Sequence, residues 1–345
     1  MRTKTTVNFK NVLITGGAGF IGSNLADFLL SCGLYVTIFD NLSRKNVEKN
    51  LFWLNDNYHN RLKVIIKDVR DKKSVYEAIK NKDVIFHLAA QVAVTDSIKS
   101  PIEDFEINAL GSLNVLEGIR KLSPETPVIY SSTNKVYGKI DSLATIKKGK
   151  RYIFADKKYQ EGIDENYTVD FYSPYGCSKG AADQYFRDYS RIYNLKTIVF
   201  RQSCIYGNRQ FGNEDQGWVM HFLKNSVSGK NIDIYGDGKQ VRDILYIDDL
   251  IEAYLLSLNN LDISSGKIYN IGGGLNNSVS LIELLLLIEK DLNIQPKYVF
   301  RDWRPGDQKI FYCNLDKIRK ELRWEPKIDV NDGLDKLNNW VKQLI

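Results

Sequence analysis

Residues 16–22, Gly-Gly-Ala-Gly-Phe-Ile-Gly, constrain this chain more than any other stretch, because their first, fourth and seventh positions are glycine and they directly follow the apolar run Asn11 to Thr15. Phe20 to Leu30 continues with apolar residues at helical spacing, and Tyr35 to Phe39 is a second apolar run that ends at Asp40. Strand, tight turn, helix and strand make one βαβ unit. Glycines at those positions let the turn close and let the backbone approach a pyrophosphate at the positive helix N-terminus. Asp40 lies 18 residues after Gly22, where a carboxylate accepts both hydroxyls of an adenosine ribose. That carboxylate would repel a 2′-phosphate, so the pattern predicts NAD over NADP. Arg44 nearby is the feature that pulls the other way.

Further apolar runs at Lys63 to Ile66, Val84 to Leu88, Val128 to Ser131 and Thr197 to Arg201 alternate with helical stretches. This predicts an α/β fold of Rossmann type, a doubly wound parallel sheet covered on both faces. After about residue 205 the texture changes to loops rich in Gly, Asp and Arg between short helices. The expected division is a mainly NAD-binding domain over 1–204 and a smaller mixed α/β substrate-binding cap, mainly 205–345, with some chain returning to the first domain. Segment 139–163 reads as a lysine-rich, irregular insertion, and Leu281 to Ile288 as a buried helix too short to span a bilayer.

Charge and cysteine usage narrow the partners. With 48 Lys+Arg against 42 Asp+Glu the net charge is +6, spread along the chain without an arginine-rich arm. That suits a phosphate-bearing small molecule and argues against nucleic acid, whose readers carry a basic stripe. Cys32, Cys177, Cys204 and Cys313 form no CxxC pair, and His59, His87 and His221 are scattered. No disulfide framework or metal site is expected, and a reducing cytoplasm is the natural compartment. The polar N-terminus and the absence of a long apolar run predict neither a signal peptide nor a membrane span.

Tyr175 and Lys179 stand four apart, on one face if their segment is helical. A nearby ammonium stabilises phenolate, and a tyrosine so tuned removes a hydroxyl proton while hydride leaves for a nicotinamide. With 20 tyrosines in the chain, chance supplies such pairs. The run Ser131-Ser132-Thr133-Asn134-Lys135-Val136-Tyr137-Gly138 after a strand adds a Thr133 hydroxyl for the same substrate oxygen. His87 reads as a strand-end structural residue ahead of a base, since Tyr175 already supplies proton transfer. Cys177 and Cys204 lie near these motifs, but hydride chemistry needs no thiol.

The glycine pattern, the SSTNKVYG run and the YxxxK pair together resemble the extended short-chain dehydrogenase family of nucleotide-sugar epimerases and dehydratases. His87-Leu88-Ala89-Ala90-Gln91, Asn108-Ala109, Tyr235-Gly236-Asp237-Gly238 and Arg242-Asp243 extend the likeness across roughly residues 10–330. Within the family the likeness is to the CDP-paratose (CDP-tyvelose) 2-epimerases. It is carried by SSTNKVYG, FYSPYGCSKGAADQYFRDY, FRQSCIYGNRQFGNEDQGWV and the insertion before Tyr175.

The resemblance implies that Thr133, Tyr175 and Lys179 are the hydroxyl partner, the base and the cofactor-ribose lysine. It implies NAD contacts from Gly16, Gly19, Phe20, Ile21 and Gly22, from Asp40, Asn41, Asp68 and Val69, and from Leu88, Ala89, Ala90, Gln91 and Asn108. Gln202 and Ser203 would line the nicotinamide. The sugar and nucleotide would meet Val94, Asn134, Lys135, Ser203, Cys204, Gln210, Gln216, Trp218, Val219, Tyr235 and Asp307. Arg209, Arg242 and Arg304 are candidates for the diphosphate, although each alone reads equally well as a surface salt bridge. Sister 4,6-dehydratases carry an acidic pair after the threonine; Asn134 and Lys135 cannot do that acid/base work, which disfavours dehydration.

The implied reaction is oxidation at a sugar carbon and reduction on its other face, on a CDP-sugar by preference. C2 rests on the subgroup likeness alone; a UDP-hexose 4-epimerase would use the same three residues. A non-catalytic NAD sensor would usually have lost the Tyr/Lys pair. A homo-oligomer is also implied, with Leu113, Leu116, Tyr185 and Tyr189 as outward residues, against the rival account that they pack in the core.

Overall fold

The computed structural model describes residues 9–304 and 307–344. Seven strands form the central sheet: β1 (Asn11–Thr15), β2 (Tyr35–Asp40), β3 (Leu62–Ile66), β4 (Val84–His87), β5 (Val128–Thr133), β6 (Thr197–Gln202) and β7 (Lys267–Ile271). Their order is β3-β2-β1-β4-β5-β6-β7, and every neighbouring pair is parallel. The doubly wound sheet predicted from the alternation is therefore present, with β7 as a strand that the apolar runs did not reveal. Chain order reverses between β1 and β4, the switch point at which such sheets bind ligands beyond the strand carboxyl ends.

Successive side chains of a strand point to opposite faces, and both faces here are buried. Val12, Ile14, Val84, Phe86, Ile198 and Phe200 belong to one core cluster; Leu13, Ile85 and Val199 belong to the other. Helix Ile247–Asn259 closes the first face, its Tyr254 ring 5.8 Å from Phe86 and 5.1 Å from Phe200. Helices Gly111–Leu122 and Ser173–Tyr193 close the second, where Phe186 stacks 4.3 Å from Tyr130. This packing corrects part of the outward set. Leu116 and Tyr189 are buried core residues and Leu113 packs partly against the same cluster, while Tyr185 is exposed.

Beyond β6, strand Val241–Tyr246 organises a second layer. It runs parallel to Cys204–Tyr206 and Ile310–Phe311 and antiparallel to Ser278–Ser280. Helix Leu281–Leu292 opens with a reciprocal Ser280/Glu283 capping box and buries Leu284, Leu285 and Ile288. The insertion is not irregular. Thr145–Lys148 and Arg151–Phe154 form an antiparallel hairpin that buries Tyr152 and Phe154. It is tied down by Arg151 to Glu283 (2.7 Å) and by the Tyr152 hydroxyl donating to Asp237 (2.8 Å). Among the described residues no helix is long and apolar enough to cross a membrane, and no group of His, Cys, Asp and Glu is arranged to hold a metal ion.

Candidate active site

The glycine turn sits where β1 meets helix Phe20–Ser31. Gly16 has φ +71°, and a Cβ there would lie 2.7 Å from the Ala89 nitrogen, so only glycine fits. Gly19 caps the helix without a side-chain bond, and the first turn, with Phe20 and Ile21, carries no acidic residue. The N–H groups that a helix start presents suit an anionic pyrophosphate. Asp40 accepts from Ala18 N at 3.0 Å and from Leu42 N at 2.8 Å, which leaves lone pairs for a ribose diol. Burial raises its pKa, and the Arg44 guanidinium nearby opposes that. Further along, Asn41 donates to Asp68 (2.8 Å). Burial alone would raise the Asp68 pKa, but bonds from Arg70 and Asn41 hold it at about 2. Val69 is buried beneath Gly111, where an added Cβ would meet its Cγ2 at 2.7 Å.

Beyond β4, residues 88–91 form a loop at the switch point. Leu88 N donates to the Thr15 carbonyl at 3.0 Å, and Ala89 N lies 3.3 Å from Thr15 Oγ1. Ala90 leads to Gln91, whose N–H donates to Asn108 Oδ1 (2.9 Å) while Asn108 Nδ2 returns a bond to the Gln91 carbonyl (3.0 Å). Asn108 is buried on a single π-helical turn, Glu106–Leu110, and also donates to Ser178 Oγ (3.1 Å). Ser178 donates in turn to Asp104 at 2.5 Å. No motif marks Asp104 or Ser178 as part of this lock, which joins the loop to the helix carrying Tyr175.

Tyr175 and Lys179 are both buried on one face of Ser173–Tyr193, next to Thr133 at the end of β5. Burial pushes the Tyr175 phenol up to about 12; the adjacent Thr133 hydroxyl and the Arg44 guanidinium oppose that rise, and Asp104 adds to it. Lys179 does not do what its spacing suggested. Its ammonium donates to the Ser131 carbonyl at 2.5 Å and lies 4.3 Å over the Tyr130 ring, so its charge is spent on β5 and not on the phenol. Burial brings Lys179 down to about 7, against the pull of Asp183 and Asp104.

His87 is fully buried, with Nδ1 2.7 Å from Thr15 Oγ1, Nε2 2.9 Å from Ser112 Oγ, and the ring beside the stacked Tyr130 and Phe186 pair, its centroid 5.7 Å from the first and 6.0 Å from the second. This is a structural post. Burial holds its pKa at about 3, with the Lys179 charge adding to the shift. The unfolded chain, with an ordinary imidazole, binds the proton first, so stability falls as pH drops from the unfolded pKa toward the folded one. Between about pH 6.5 and 5 the expected loss is about 2 kcal/mol. Urea unfolding across that range measures it, and His87→Gln should flatten the slope; an equally steep slope in the variant would assign it elsewhere.

At the end of β6, Gln202 Nε2 donates to the Tyr254 hydroxyl (2.5 Å), and Ser203 donates to Asp243, a fully buried carboxylate that also holds Gly274 N and Cys313 N. Lys135 sits within the fields of Arg242, Asp307 and Cys204. Burial, then the Arg242 charge, brings Lys135 down to about 8; Asp307 opposes. Lys135 also donates to Gln308 at 3.4 Å, and Arg242 to the Val241 carbonyl at 2.8 Å. Neither cation forms an ion pair among the described residues, so an anion between them would relieve their repulsion. Asn134 is buried beside Thr133, and the buried Trp218 indole N–H faces the Cys204 thiol.

The other two arginines are committed elsewhere. Arg209 bonds Asn24 Oδ1 (3.1 Å), pairs with Asp27 (3.3 Å) and stacks 3.9 Å over Trp53. Arg304 pairs with Glu214 (2.6 Å) and Asp215 (3.3 Å) and lies 3.8 Å over the Tyr235 ring, whose hydroxyl donates to Glu214. Both contacts fasten the strap of residues 207–217 to its surroundings. Within it Gln210 donates to the Ile205 carbonyl (3.2 Å), and Gln216 donates to the Val92 carbonyl (2.6 Å), close to Val94 at the start of helix Val94–Lys99. Val219 is buried at the base of the following helix, Trp218–Val227.

A model of the GDP-mannose 4,6 dehydratase family matches residues 13–337. The CDP-paratose 2-epimerase of Salmonella typhi is 45% identical over 340 residues, covering 96% of this chain and 99% of that protein. The solved UDP-glucose 4-epimerase of Thermotoga maritima, with UDP-glucose, superposes with a TM-score of 0.82 at 29% identity, covering 97% of this chain and 99% of that one. The UDP-glucuronic acid 4-epimerase of Bacillus cereus, in complex with UDP-glucuronic acid and NAD, gives 0.82 at 26% identity, with 97% and 100% covered.

Proposed function

Since the chain belongs to the GDP-mannose 4,6 dehydratase family, within the extended short-chain dehydrogenases, we propose that it is an NAD-dependent nucleotide-sugar epimerase that inverts C2 of a CDP-hexose, in the manner of paratose and tyvelose. One observation carries the reading. Thr133, Tyr175 and Lys179 meet at the end of β5 with Asn134 and Lys135 in place of an acidic pair, in a chain that resembles a CDP-paratose 2-epimerase along its whole length. The family is named for a dehydratase, but an amide and an ammonium cannot remove water from a ketone.

NAD, held by the Gly16–Gly22 turn, Asp40 and Lys179, supplies when bound a two-electron oxidation of the sugar carbon and its reversal. Tyr175 Oη takes the C2 hydroxyl proton and later returns it, with the Thr133 hydroxyl bonding the same oxygen. Lys135 and Arg242 grip the diphosphate while the sugar turns. The 207–217 strap, fastened to the first domain through Arg209 and to the cap through Arg304, keeps water from the 2-keto sugar.

The test follows the carbon. A CDP-hexose deuterated at C2 should turn over more slowly than its unlabelled form and give a C2-inverted product, seen by NMR, with the label kept at C2. Deuterium at C4 should leave the rate unchanged. A rate effect at C4 with a C4-inverted product would make the protein a 4-epimerase, and solvent hydrogen at C2 would mean proton abstraction beside a carbonyl.

Two further parts belong to this reading. Tyr185, exposed on Ser173–Tyr193, supports a homo-oligomer built on that helix. Four free cysteines, with Cys32 and Cys177 exposed, support a reducing cytoplasmic setting.

A further inference from the structure

One turn beyond Lys179, Asp183 is fully buried. Its carboxylate accepts from Ser132 Oγ (2.7 Å), Arg201 Nε (3.0 Å), Arg201 Nη2 (2.9 Å) and Gln184 Nε2 (2.8 Å). Arg201, on β6, is 3% exposed. It donates through Nη1 to the Tyr137 hydroxyl (3.1 Å), which donates to Asn270 Oδ1 on β7 (2.7 Å). Asn270 Nδ2 donates to the Ile163 carbonyl at the end of the insertion (2.8 Å). Four consecutive residues of β5 meet the same helix. The Tyr130 ring lies under the Lys179 ammonium, the Ser131 carbonyl accepts a hydrogen bond from it, Ser132 bonds Asp183, and Thr133 adjoins Tyr175.

A fully buried ion pair is weak as a device for stability, because the cost of desolvating both charges consumes the attraction between them, and apolar residues of similar volume commonly serve a fold as well. Its placement directly beneath the reacting face gives it another use. We propose that Asp183 and Arg201 are positioning residues for Lys179, a buried pair that sets the register of the Tyr175/Lys179 face against β5 and supplies the negative field in which the lysine's ammonium is held. The inference rests on Tyr175 and Lys179 being the reacting pair.

The surroundings of Lys179 support it. From its own helix come Asp183 and Tyr175; from Pro101–Phe105 comes Asp104; from β4, His87; from β5, Tyr130; and from β6, Arg201, already paired. His87 is neutral and both phenols are held protonated by burial, so Asp183 and Asp104 are the carboxylates that keep the ammonium charged in a buried setting. Asp104 is shared with Ser178, whereas Asp183 is fixed on all sides.

The test replaces both members at once, Asp183→Leu with Arg201→Met, so that no lone charge is left buried, and compares the NAD-loaded variant with wild type. Unchanged melting temperature, a fall in kcat of about thirtyfold and a KM within about twofold are expected. The alkaline limb of kcat should move about one unit toward lower pH, because the lysine gives up its proton more readily without Asp183. A folded double variant with wild-type kcat and an unmoved limb would show the pair to be structural only. Should that variant not fold, Ser132→Ala, which removes one bond to Asp183 and no charge, decides the matter. A fall in kcat of about fivefold with KM kept supports positioning, and an unchanged kcat overturns it. Failure of the site reading itself shows separately, as activity that survives Tyr175→Phe.

Discussion

Tyr175→Phe should lower kcat by about a thousandfold or more while the protein still carries NAD. The substitution removes only the phenolic oxygen. The ring is buried against Thr133 and the start of its helix, and phenylalanine fills the same space, so neither a cavity nor a lone charge arises. What goes is the group that takes and returns the sugar's proton, and general acid–base catalysis is worth about 10²–10⁴-fold. A thousandfold loss is about 4 kcal/mol of barrier. Single-turnover rates with the nucleotide sugar, together with the NAD content of a denatured extract, separate the two effects. A rate within about tenfold of wild type would hand proton transfer to another group.

Gly22→Ala should be as damaging on the cofactor side. A Cβ at residue 22 would lie 2.3 Å from the Gly16 carbonyl oxygen and 2.6 Å from Gly17 Cα. Both are backbone atoms, so the turn itself must move. Alanine inside a helix ordinarily gains about 1 kcal/mol over glycine, and here the clash outweighs that gain. Bound NAD should fall more than about tenfold, with about 2 kcal/mol lost in urea unfolding, as for an overpacked core. Gly19→Ala makes a useful contrast, because its Cβ meets Gly16 O at 3.2 Å. It should spare the fold and weaken NAD alone. Full retention of NAD by both variants would remove the turn from the cofactor site.

Much of the fold was legible in the sequence because it is written locally. Strand β1, the glycines and β2 lie within 30 residues, and their pattern needs no distant partner to be read. The insertion hairpin also left a local trace, Gly149 at φ +60° followed by a strand in which Tyr152 and Phe154 are buried at alternate positions. The partner strand hid it, since Ile146, Lys147 and Lys148 are all exposed and show no alternation, and Lys147 stands opposite the buried Tyr152. Strand β7 was missed for another reason. Its five residues join β6 from about 65 residues away, a pairing that no window of sequence contains.

The site divides in the same way. Spacing put Tyr175 and Lys179 on one helix face, but the direction of the ammonium is set by the Ser131 carbonyl and the Tyr130 ring on another element. Three arginines were equally good candidates for the diphosphate. Arg209 and Arg304 are drawn instead to Asp27, and to Glu214 and Asp215. Whether an arginine is spent depends on which carboxylate the fold brings to it, and composition does not carry that.

The late arrival of β7 has a consequence for a chain being made on the ribosome. When Gln202 emerges, six strands of the sheet are available, and β6 is left with an open edge of unpaired N–H and C=O groups along Thr197–Gln202. The strand that covers this edge follows roughly 65 residues later, several seconds at about 5–20 residues per second. For that interval the nascent sheet is a template for any extended segment nearby. Fragments ending before Lys267 should accumulate as aggregates, and those extending past helix Ile247–Asn259 and through Ile271 should have both the edge strand and the covering helix needed to stay dispersed.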